Sequence, residues 1–63
     1  MTQDELRRAI EPIVLDESLT VEQRAQKLMP VQFALVAEYG IGPGIRILSA
    51  AINAVRKEHG RNQ

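Results

Sequence analysis

A chain of 63 residues holds one domain, and this one has no cysteine, no tryptophan, one phenylalanine and one tyrosine, with Lys+Arg and Asp+Glu balanced at eight each. Disulfides and thiolate metal sites are therefore excluded, and the lone His59 is a poor basis for a zinc site of three or four ligands, so no metal or cofactor is expected. A domain of this size buries only about 60% of the surface its unfolded chain exposes. It usually leans on disulfides, a metal or another chain, and here another chain is the support that remains.

The first helix is predicted over residues 3–15. Thr2 and Glu5 fit a capping box, in which each side chain satisfies an end amide of the other. Leu6, Ala9, Ile10, Ile13 and Val14 then recur on one face. Pro12 falls inside this pattern, where a proline loses a backbone bond and clashes with the preceding turn, so a kink or break is expected there. Asp16-Glu17-Ser18 reads as a loop.

A second helix is predicted over 21–39, opened by another capping box of Thr20 and Gln23. Pro30 lies in its middle. Met29 is a poor N-cap, which favours one kinked helix over two short ones. Gly40 suits a left-handed cap at its end. Ile41-Gly42-Pro43-Gly44 reads as a tight connection. The third helix is then predicted over 43–59, with Pro43 in its first turn, Gly60 as its stop and 60–63 as a frayed tail. Helical periodicity runs throughout without sustained alternation. The predicted fold is an all-α three-helix domain with proline kinks, assembled as a helical homodimer.

The dimer expectation comes from the width of the apolar arcs. At 100° per residue the third helix spreads its apolar side chains over about 220°, and the second over about 200°, against an arc only somewhat wider than 100° on an ordinary surface helix. Two short neighbours hardly cover both. The expected dimer or partner interface is Leu28, Val31, Gln32, Phe33, Leu35, Val36 and Tyr39 on the second helix, with Ile45, Ile47, Leu48, Ile52 and Val55 on the third. Gln32 lies near the middle of its arc and is expected as an edge residue whose amide reaches water, the alternative being a buried hydrogen bond that sets register or dimer pairing, as in some coiled coils.

The zero net charge is a cancellation. Residues 1–22 hold six acids against two bases, a net of −4, and residues 23–63 hold six bases against two acids, a net of +4. Arg46, Arg56 and Lys57 on the third helix are the candidate contacts for an anion or nucleic acid. Gly40-x-Gly42-x-Gly44 lacks the strand and spacing of a dinucleotide fingerprint and reads as turn glycines. The hydroxyls of Thr2, Ser18, Thr20, Ser49 and Tyr39 and the single imidazole of His59 show no spacing that pairs a nucleophile with a base, so no enzyme is expected. No apolar run reaches 18 residues, and the acidic start lacks the order of a signal peptide. No membrane contact and a cytoplasmic location are expected.

The segment Leu35-Val36-Ala37-Glu38-Tyr39-Gly40-Ile41-Gly42-Pro43-Gly44 resembles the first helix and turn of many bacterial helix-turn-helix regulators. It departs from them at Val36, Arg46 and Ala50. The resemblance implies a DNA-binding regulator using residues 35–57 as the alternative reading. The main expectation is a small non-enzymatic protein–protein interaction module, an adaptor, regulator or inhibitor of a larger partner protein.

Overall fold

A computed structural model describes residues 1–61, which form three helices and no strand: α1 (Gln3–Val14), α2 (Val21–Tyr39) and α3 (Ile41–Arg61). At 1.5 Å per residue α2 and α3 are about 28 and 31 Å long. Both fit only along the longest axis of a body measuring 35 × 22 × 17 Å, so they run as an antiparallel pair. Met1 reaches Glu38 at the C-terminal end of α2, its ammonium 3.0 Å from the carboxylate. Asp16, just after α1, meets Arg24 near the start of α2, so α1 runs antiparallel to α2 as well.

Both capping boxes are present. The Thr2 hydroxyl accepts from the Glu5 amide at 3.1 Å while the Glu5 carboxylate accepts from the Thr2 amide, and Thr20 and Gln23 do the same. Two orphan amides at each helix start are thereby satisfied. α1 and α2 continue through Pro12 and Pro30. Both prolines are exposed, so the carbonyls they leave without an amide partner face water.

The connection between α2 and α3 is shorter than the predicted four residues. Gly40 alone makes it: its N–H closes α2 on the Val36 carbonyl at 2.8 Å, and its carbonyl accepts the first bond of α3 from Gly44 at 2.8 Å. This double duty moves the start of α3 back to Ile41 and puts Pro43 at the third helical position, where a missing N–H still costs nothing. Gly40 has φ 99° and ψ 166°, so its backbone is mirror-extended rather than left-handed helical. Glycine alone adopts that conformation readily. At the other end, Gly60 does not stop α3, which runs on to Arg61. An interior glycine costs a helix only about 1 kcal/mol and does not by itself end one. The rest of the predicted tail, 62–63, lies outside the described residues.

The core among the described residues is Leu6, Ile10 and Val14 from α1, Leu35 from α2, and Leu48 and Val55 from α3. Gly44 is buried with them because α3 crosses α2 there almost backbone to backbone. A Cβ at this position would lie 2.8 Å from the Val36 nitrogen and 2.9 Å from the Leu35 carbonyl carbon and oxygen.

The loop after α1 is organised by Asp16. Its carboxylate accepts from the Ser18 hydroxyl at 2.6 Å and the Ser18 amide at 3.0 Å, and its carbonyl accepts from Arg24 Nη2 at 2.7 Å. The Ser18 bonds hold the Asp16 carboxyl below its usual titration range, and the Thr2 bonds do the same for Glu5. Both groups ionise at lower pH folded than unfolded. Their stabilisation is complete above the unfolded carboxylate range and is lost as pH falls through the folded values. The urea midpoint is therefore expected to fall on acidification below the ordinary carboxylate range, with Asp16→Asn showing a shallower fall. An Asp16→Asn variant with an unchanged acid limb would contradict this.

Candidate interaction surface

α2 places a single described residue, Leu35, in the buried core, although it is 19 residues long. The reason lies in where α1 sits. On α2, Glu38 faces α1 through the Met1 contact, and Val31 packs against the core from the same side. On α3, Glu58 faces α1 through an ion pair with Arg7. Taking Leu35 as the inward direction of α2, Val36, Met29 and Phe33 lie about 100–160° round, on the flank beyond α3. Taking Leu48 as inward on α3, Ile52 and Ile45 lie about 40–60° round, on the flank away from Glu58. The two flanks meet as one face of the α2–α3 pair, opposite α1.

That face is apolar and open. Phe33 is 61% exposed, Met29 46% and Ile45 42%, with Ile41 at its edge 71% exposed. Val36 and Gln32 are half-buried along its centre line. Gln32 lies about 60° round from Leu35, on the α3 side of α2. Glu22 and Arg56 are charges at the end of the face away from Gly40, and Arg46, about 160° from Leu48, is exposed at the Gly40 end on the α3 edge. Glu22 is in the first turn of α2 and Arg56 near the end of α3, and both are exposed. Arg46 and Lys57, with Asn53, form an exposed polar stripe beside the face on α3.

The expected interface residues divide into four groups. Phe33, Val36, Gln32 and Ile45 belong to the open face, and Ile52 lies at its inner edge, packed against the core. Leu35, Leu48 and Val55 do not, because they are buried in the protomer's own core, and Leu28 and Val31 pack against that core. Ile47 lies on the other flank of α3, in a groove of about 460 Å³ between α1 and α3 with Leu6, Ala51 and Ala54. Tyr39 is 44% exposed at the Gly40 end, where the Glu38 carboxylate raises the pKa of its phenol. Met29 and Ile41 are the members that sequence reasoning missed. Each stands four residues before a residue it included, Phe33 and Ile45, and so on the same helical face.

Among the described residues no cluster of His, Cys, Asp and Glu is suited to hold a metal ion, and no helix is long and apolar enough to cross a membrane. In comparisons with known proteins, no family model matches the chain, and neither a curated protein nor a solved structure is significantly similar to it.

Proposed function

We propose that this chain is a non-enzymatic protein–protein interaction module that works as a homodimer, serving as an adaptor, regulator or inhibitor of a larger partner protein. The observation that carries the reading is the open apolar face of α2 and α3, centred on Phe33. Met29, Phe33, Ile41 and Ile45 are exposed large hydrophobic side chains on this face, and a second copy laid on it would take all four from water. The dimer would leave the α1–α3 groove and the exposed charges of α1 for the larger partner.

A DNA-binding reading has the Arg46, Asn53 and Lys57 stripe in its favour. Its connection does not fit: a helix-turn-helix joins its helices by three or four residues at a steep angle, whereas Gly40 alone joins α2 and α3.

Sedimentation equilibrium tests the proposal. The wild-type chain is expected at about 14 kDa at micromolar concentration, a two-fold assembly of the 7.0 kDa protomer. Phe33→Glu should sediment as the protomer with unchanged helix content, its dissociation constant raised by about 100-fold or more, as for a central aromatic anchor. A wild-type mass of 7 kDa, or a Phe33→Glu variant that dimerises as wild type does, would overturn it.

A further inference from the structure

This inference rests on the proposed dimer and concerns how its two copies are set against each other. We infer that α2 of each copy packs on α3 of the other, so that Glu22 of each copy meets Arg56 of the partner subunit and both pairs stand at the same end of a two-fold interface.

The argument starts from the position of the charges on the open face. On the helical period used above, Glu22 lies about 140° from Leu35, between Met29 and Phe33 in direction, and Arg56 about 80° from Leu48, beside Ile45. Both therefore project from the face itself rather than from its margins. Because α2 and α3 are antiparallel, the start of one and the end of the other lie at the same end of the bundle. Neither residue has an ion pair within the described chain; the exposed pairs there are Met1–Glu38, Arg7–Glu11 and Arg7–Glu58.

Two copies can close this face by a two-fold axis in one of two directions. An axis along the helices lays α2 on α3 of the partner. It brings the start of α2 over the end of the facing α3, setting Glu22 against Arg56 twice per dimer. It also sets Met29 and Phe33 along the Ile45–Ile52 row, giving a four-helix layer with both α1 helices outside. An axis across the helices lays α2 on α2 and α3 on α3. Glu22 then sits over the Val36–Tyr39 end of the facing α2, which has no cation, and Arg56 over the Ile41–Ile45 end of the facing α3, which has no anion. Opposite charges at an interface fix register, and unmatched ones oppose it. The first arrangement satisfies both charges and the second neither.

A charge-swap cycle tests the pairing, read by sedimentation equilibrium at low salt with helix content checked by circular dichroism. Glu22→Arg and Arg56→Glu are each expected to weaken dimerisation by roughly tenfold, since each sets two like-charge pairs face to face. The double variant should return to within about threefold of wild type, because the pair is restored with its signs exchanged. A wild-type 14 kDa species whose single variants bind as tightly as wild type, or whose double variant is as weak as the sum of the singles, overturns this arrangement and leaves the dimer standing. A wild-type chain at 7 kDa removes the dimer and this arrangement together.

Discussion

Gly44→Ala is expected to lower the thermal midpoint by about 8–16 °C, as followed by circular dichroism at a fixed chain concentration. Two effects oppose each other. Alanine favours the helix over glycine by about 1 kcal/mol. Against this, the new methyl would lie 2.8–2.9 Å from backbone atoms of Leu35 and Val36, and backbone cannot rotate aside as a flexible side chain does. α2 and α3 must separate, and overpacking of this kind costs roughly 1–3 kcal/mol or more, with the upper end expected where backbone is struck. Sterics therefore win. Two other glycines serve as controls. A methyl at Gly42 would meet only Arg46 Nη1 at 3.9 Å, and one at Gly60 meets nothing within 4 Å. Their alanine variants should be as stable as wild type or more so. A Gly44→Ala chain melting with them would remove the close crossing.

Ile10→Ala is the second large effect. Ile10 is fully buried at the centre of α1 and touches the core contributed by both other helices. Truncating a buried isoleucine to alanine costs about 2–5 kcal/mol. A domain of this length has roughly 3–9 kcal/mol in total at typical per-residue stability. The variant should consequently be mostly unfolded at low urea, whereas Val21→Ala, at a position 78% exposed, should keep its midpoint. A folded Ile10→Ala chain with a wild-type urea midpoint would show that α1 is not seated on α2 and α3 as described.

Helix starts were legible in the sequence because their signals are local. Thr2 with Glu5 and Thr20 with Gln23 satisfy amides three residues away, and nothing distant competes with them. The start and end of α3 were less legible. Whether Gly40 makes the turn alone depends on how closely α3 can approach α2, which Gly44 decides from across the crossing. Gly60 carries no local instruction to stop. The apolar arcs of α2 and α3 were visible as too wide for one neighbour. Which part of each faces inward was not, because a helical wheel has no fixed origin until α1 is docked. That is why Leu35, Leu48 and Val55 were grouped with Phe33 and Ile45, although the first three fill the protomer's core.

The division of that core has a consequence for how the chain comes apart. α1 makes up 12 residues yet supplies Leu6, Ile10 and Val14, half of the buried cluster. If α1 lifts off, Leu35, Leu48 and Val55 lose their cover on one side of the α2–α3 pair, while Phe33 and Ile45 still occupy the other. In a lone protomer what remains is a two-helix layer of side chains, apolar on both sides and without an interior. Such a pair is no foldon, so a lone protomer's amides should exchange with solvent only as all three helices open at once. The proposed dimer, by covering the Phe33 side, would instead give α2 and α3 a protected state of their own.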